Sequence, residues 1–121
     1  MKDILLVDDD EQFRALLSTF LQQCGFRVQE ASEGNEALRL HEHHRFDLII
    51  TDLIMPGREG LSAILELRRK DRQVKIVAMS GGGRVSPDSY LPVAKKFGAH
   101  EILAKPFPLA VLLETVHRVL K

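Results

Sequence analysis

A chain of 121 residues, 45% of them hydrophobic, has room for one domain with a real core and too little for two comfortable ones. Its 17 basic and 17 acidic side chains balance, which excludes the broad positive field that holds nucleic acid or an anionic membrane surface. No apolar run approaches the ~20 residues needed to cross a bilayer, and the short run after Met1-Lys2-Asp3 is no signal peptide, so a cytoplasmic protein is expected.

The first predicted element is a strand, Ile4 to Val7, which runs straight into Asp8-Asp9-Asp10. Neighbouring carboxylates at about 4 Å repel by roughly 4 kcal/mol per pair at an effective dielectric near 20, so something must offset them. A helix follows, because Phe13, Leu16, Leu17, Phe20, Leu21 and Cys24 share one face and Gly25 supplies a C-terminal stop. Asp10 directly precedes that stripe and is expected to cap the helix by accepting from the amide of Gln12 or Phe13. Cys24, the only cysteine, falls on the apolar stripe and is expected to be a buried structural thiol.

The segment 27–31 alternates apolar and polar residues, as suits an edge strand. A weaker helix runs from about Asn35 to His44. Its end, His41-Glu42-His43-His44, sets His41 and His44 one turn apart. With no clear acidic or cysteine partner in the sequence, a solvated helix end is expected there rather than a zinc site. The strand at 47–51 is apolar from Leu48 to Ile50 and leads through Thr51 into Asp52, and a helix from about Leu61 to Lys70 follows. A further strand at 74–79 leads to Ser80-Gly81-Gly82-Gly83, which lacks the GK[ST] continuation of a phosphate-binding P-loop. A helix from about Ser89 to Phe97, a strand at 101–104 ending in Lys105-Pro106, and a last helix striped by Leu109, Leu112, Leu113, Val116 and Leu120 complete the chain.

Strands alternating with helices, and continuous apolar strands suited to burial on both faces, predict an α/β fold. The expectation is a single domain over residues 1–121, a (βα)5 flavodoxin-like three-layer sandwich with a parallel sheet of order 2-1-3-4-5. Ligands of such sheets bind beyond the carboxyl ends of the strands, where the order reverses. Those ends carry Asp8, Asp9, Asp52, Ser80 and Lys105. Acids from separate strands, offering oxygen alone, suit Mg²⁺, and a divalent ion would relieve the repulsion among them.

The motifs LLVDDDEQFR, FDLIITDLIMPGREG, KIVAMSG and ILAKPF resemble, in order and over the whole chain, the signatures of response-regulator receiver domains, the phospho-acceptor modules of two-component signalling. The resemblance implies that Asp52 is phosphorylated, that Asp9 binds Mg²⁺ directly and Asp8 largely through water, and that the backbone carbonyl of Ile54 completes the protein's metal ligands. It implies that Ser80 engages the phosphoryl group, that Lys105 contacts it, and that the Lys105-Pro106 bond is cis. A carboxylate nucleophile attacking phosphorus needs such positive charge around the transferring group.

Two departures bear on output: the residue at position 102, and a segment from Ser80 to Pro92 that is longer than in compact single-domain receivers. Ile102 stands where receivers commonly carry an aromatic switch, so the loop from Gly81 to Pro92 is expected to carry the signal instead and to re-pose the helix containing Tyr90. The implied partners are a histidine kinase or histidine phosphotransfer protein and a downstream protein on the fourth predicted helix, the fifth strand and the fifth helix, with no direct nucleic acid and no membrane. No enzyme is implied beyond self-phosphorylation from small phosphodonors and slow autodephosphorylation. A chemotaxis-type single-domain receiver and an N-terminal receiver cut from a larger regulator both remain open. A haloacid-dehalogenase-type phosphatase would need a second acid two residues after the nucleophile, where this chain has Ile54. A receiver-like domain that is never phosphorylated would not need the intact set of Asp8, Asp9, Asp52, Ser80 and Lys105.

Overall fold

The computed structural model describes residues 1–53, 60–80, 95–96 and 98–121. Strands β1 (Asp3–Val7), β2 (Arg27–Ala31), β3 (Leu48–Asp52), β4 (Lys75–Ser80) and β5 (Glu101–Ala104) alternate with helices α1 (Glu11–Gln23), α2 (Gly34–His43) and α3 (Gly60–Lys70), and α4 (Leu109–Leu120) follows β5. All strand pairs are parallel, in the order β2-β1-β3-β4-β5. Of the expected helix near 89–97 only Lys95 and Lys96, both helical, are among the described residues; the glycine run after Ser80, Tyr90 and Ile54 lie outside them.

The central strands lack in/out alternation because both sheet faces are covered. Ile4, Leu6, Leu48, Ile50, Val77 and Met79 point to one side, where Leu17 and Leu21 of α1 and Leu112 and Val116 of α4 meet them. Leu5, Val7, Ile49, Ile76 and Ala78 point to the other, against Ala37 and Leu38 of α2 and Ile64 and Leu67 of α3. Burying each such large side chain contributes about 1.5–3 kcal/mol, so the two apolar layers fix the strand register. Ile102 is half-buried against the α2–α3 layer.

Helix α1 begins where expected: the Asp10 carboxylate accepts from the Phe13 amide at 3.1 Å. It ends with Gly25 at φ 97°, the Gly25 amide donating to the Gln22 carbonyl at 3.0 Å and the Phe26 amide to the Leu21 carbonyl at 3.1 Å. This paired closure, with glycine in the left-handed region, satisfies carbonyls that the last turn would leave open. Two expectations on this helix fail. Cys24 is exposed, because it is the C-cap, where the chain already turns away from the sheet. Leu16 is 54% exposed, since α1 buries a narrower stripe centred on Leu17 and Leu21.

The end of α2 also differs from expectation. His41 is buried, not solvated. Its Nδ1 accepts from the Phe46 amide at 3.1 Å, which puts the ring proton on Nε2, 2.9 Å from Asp71 Oδ2. Asp71, thirty positions away, was an acidic partner that spacing alone does not reveal. His43 and His44 are exposed, as expected of a helix end.

Candidate functional site

Register brings the functional side chains to one rim. Val7 pairs with Thr51, so the next residues, Asp8 and Asp52, stand abreast beyond β1 and at the end of β3. Ser80 pairs with Ala104, and the Lys105 amide donates to the Ser80 carbonyl at 2.6 Å, which fixes the start of the Lys105 side chain beside the same rim. The Lys105-Pro106 peptide bond is cis, as expected.

Asp8 has no solvent exposure, and each of its polar atoms is held. Its amide donates to the Ala31 carbonyl at 3.1 Å, and its carbonyl accepts from Arg14 at 2.7 Å. Oδ1 accepts from the Asp10 amide at 2.9 Å and Oδ2 from the Lys105 ammonium at 2.7 Å. Arg14 is itself anchored by Glu30 Oε1 at 2.8 Å. The Lys105 ammonium also donates to Asp52 Oδ2 at 3.2 Å, while Asp52, buried, keeps its backbone carbonyl on the Thr51 hydroxyl at 3.1 Å. Burial works against the charge on Lys105, but the hydrogen bond and charge of Asp8 and the charge of Asp52 outweigh it, and its pKa lies above the ordinary lysine value.

Carboxylate oxygens of Asp8, Asp9 and Asp52 lie within 4.8 Å of one another. These three carboxylates gather around one ammonium, that of Lys105, which hydrogen-bonds to Asp8 and Asp52. Such an all-oxygen donor set fits a hard divalent cation. Asp9 is the exposed member, and so the one open to an ion entering from solvent. The Ser80 hydroxyl is buried with no hydrogen-bond partner among the described residues, a state that costs free energy unless a ligand uses it. The rim therefore joins an acid cluster whose donor set fits a cation, a carboxylate facing an ammonium, and a buried hydroxyl with no partner among the described residues.

Asp8, Asp9, Asp52 and Lys105 meet as the sequence predicts, and Ser80 stands at the end of β4, the neighbouring strand. Ile54 lies outside the described residues. Sequence reasoning missed Arg14 and Phe13, which touch the site from the start of α1. The available signal was their position, one helical turn beyond the acid run.

Residues 4–117 match the model of the "Response regulator receiver domain" family. The chain is 37% identical over 118 residues to the transcriptional regulatory protein PrrA of Mycobacterium tuberculosis, covering 98% of this chain and 49% of PrrA. It is 32% identical over 118 residues to the chemotaxis protein CheY of Bacillus subtilis, covering 97% of this chain and 96% of CheY. The structure resembles the crystal structure of the receiver domain of NtrX from Brucella abortus with a TM-score of 0.91, 27% identity and 98% of both chains covered.

Proposed function

The chain belongs to the response regulator receiver domain family, the phosphorelay module of two-component signalling, and from that premise we propose that Asp52 accepts the phosphoryl group and that residues 1–121 form one such domain. The observation that carries this reading is the single ammonium of Lys105 bridging Asp8 at 2.7 Å and Asp52 at 3.2 Å at the sheet's carboxyl rim.

In the proposed step an Asp52 oxygen attacks phosphorus. The bond from phosphorus to the donor breaks, the leaving group departs with that electron pair, and Asp52 carries an acyl phosphate. Lys105 meets the equatorial oxygens, and the buried Ser80 hydroxyl, which has no partner among the described residues, gains one. Asp8, Asp9 and Asp52, with the backbone carbonyl of Ile54, are the residues that would hold Mg²⁺. Bound there, the ion would neutralise charge on the transferring group. Asp8 is kept in position for this by Asp10, Arg14 and Lys105. Receiver domains are signalling modules rather than enzymes, and the only turnover proposed here is self-phosphorylation from small donors and slow hydrolysis of the product. The donor protein is a histidine kinase or histidine phosphotransfer protein. The proposed output surface includes β5 and α4, whose Glu101 and Arg118 already pair at 3.0 Å, together with the segment near 89–97.

Intact-mass measurement after incubation with acetyl phosphate and Mg²⁺ tests the assignment. One phosphoryl adduct is expected on the wild type and none on Asp52→Asn. Equal labelling of the two overturns it.

A further inference from the structure

Phe13 is the third residue of α1. One and two turns further on, Leu17 and Leu21 are buried in the core, but Phe13 is only half-buried and lies at the rim. The Lys105 ammonium sits over its ring, 4.6 Å from the centroid. Phe107, two residues beyond Lys105, meets the same ring edge-on at 5.9 Å with an interplanar angle of 74°. The ammonium thus has carboxylates of Asp8 and Asp52 as hydrogen-bond acceptors and an aromatic face against another side, with its side chain 22% exposed.

A lysine ammonium is a compact charge on a flexible four-carbon stem. Hydrogen bonds to two carboxylates do not by themselves restrain it once those carboxylates change partners. When a phosphoryl group arrives at Asp52, the ammonium must exchange carboxylate oxygens for phosphoryl oxygens while staying at the mouth of the site. The ring attracts the cation through its quadrupole, an attraction that persists whichever oxygens the ammonium holds. The T-shaped contact with Phe107 keeps the ring from turning its edge to the charge.

We propose that Phe13 is a positioning residue for phosphoryl transfer to Asp52, its ring face holding the Lys105 ammonium at the acidic rim while Phe107 fixes the ring. This rests on the reading of Lys105 as the cation that meets the phosphoryl group, so the test separates the two.

Fluorination of the ring drains its quadrupole with little change of shape. Phe13 is replaced in turn by 4-fluoro-, 3,5-difluoro- and 3,4,5-trifluorophenylalanine, in the wild type and in Lys105→Met. Three quantities are measured: the rate of phosphorylation by acetyl phosphate at saturating Mg²⁺, the affinity for beryllofluoride, and the proton shifts of the Lys105 ε-methylene. In the wild-type background the logarithm of the rate falls steadily with fluorination, by roughly two- to tenfold over the series. Beryllofluoride affinity falls in parallel, and the thermal midpoint stays constant. The Lys105 ε-protons are shifted upfield by the ring in the unfluorinated protein. In Lys105→Met the already reduced rate no longer depends on fluorination. A flat series in the wild type, with Lys105→Met still impaired, overturns the role of Phe13 and leaves that of Lys105 standing. A Lys105→Met rate equal to wild type overturns the reading of Lys105, and the inference with it.

Discussion

Asp8, Asp9 and Asp10 are chemically identical and do three different things, because burial and local geometry differ at each. The Asp10 side chain caps α1 while its amide supports Asp8. Asp8 is wholly enclosed, and Asp9 faces solvent. Asp10→Ala should therefore lower stability by about 1 kcal/mol as a lost cap while leaving Mg²⁺ affinity unchanged. Asp9→Ala should stabilise the metal-free fold by removing repulsion and abolish Mg²⁺ binding. Urea unfolding in EDTA, beside calorimetric Mg²⁺ titration, separates the two, and loss of binding in Asp10→Ala would refute this division. The cap was legible because Asp10 abuts the helical stripe. The enclosure of Asp8 was not, since it depends on Arg14, Ala31 and Lys105, which only the folded chain gathers. Cys24 was misread for a related reason: periodicity assigns a face but does not say where the helix stops touching the sheet.

At the level of elements, two turns rest on glycine for unequal reasons. Gly25, at φ 97°, has open space around a would-be side chain, so Gly25→Ala meets only the left-handed backbone penalty of roughly 1–2 kcal/mol. Gly98, at φ 118°, would place a Cβ 2.8 Å from Arg68 Nε. That arginine donates to the carbonyls of Gly98 at 2.9 Å and Arg72 at 2.7 Å, tying the end of α3 to the approach to β5. Gly98→Ala should accordingly cost more than Gly25→Ala, as paired denaturant midpoints would show. The α2 end rests on His41 and Asp71. Burial raises the Asp71 pKa, but the hydrogen bonds from His41 and the Gln73 amide and the charge of Arg45 hold it below the ordinary carboxyl value. The unfolded chain then binds the proton more readily. The resulting stability is present above a pH of about 3.9 and is lost as pH falls through the lowered folded value. Asp71→Asn should flatten this acid limb in unfolding curves taken across it. His41→Phe, which strands the Phe46 amide and removes the hydrogen bond from His41 to Asp71 Oδ2, should cost about 1–3 kcal/mol near neutrality. No spacing rule pairs His41 with Asp71, which is why this clamp was invisible in the sequence.

For the molecule as a whole, the sheet order followed from strand-helix alternation and from the contrast between continuous central strands and the alternating edge strand β2. The placement of α1 and α4 on one face and α2 and α3 on the other agrees with right-handed crossovers. Among the described residues no helix is long and apolar enough to cross a membrane. The acid rim is the part of the fold that pays electrostatically for its function, so a divalent cation should stabilise the entire molecule. Free Mg²⁺ at one hundred times its dissociation constant should add about 2.7 kcal/mol to the unfolding free energy. Thermal unfolding with Mg²⁺ and with EDTA measures this, and Asp9→Ala should erase the difference. A midpoint insensitive to Mg²⁺ in the wild type would refute the metal site.

The pair between Lys105 and Asp8 joins residues 97 positions apart in the chain. During translation the acids emerge first, and their cation follows roughly 5 to 20 s later at ordinary elongation rates. Until β5 docks at the edge of the sheet, a nascent chain holds Asp8 and Asp52 without the ammonium that bridges them. Acquiring β5 is thus also the step that brings the ammonium to the acids, so on the proposed reading competence to receive a signal arrives with that strand rather than building up along the sheet.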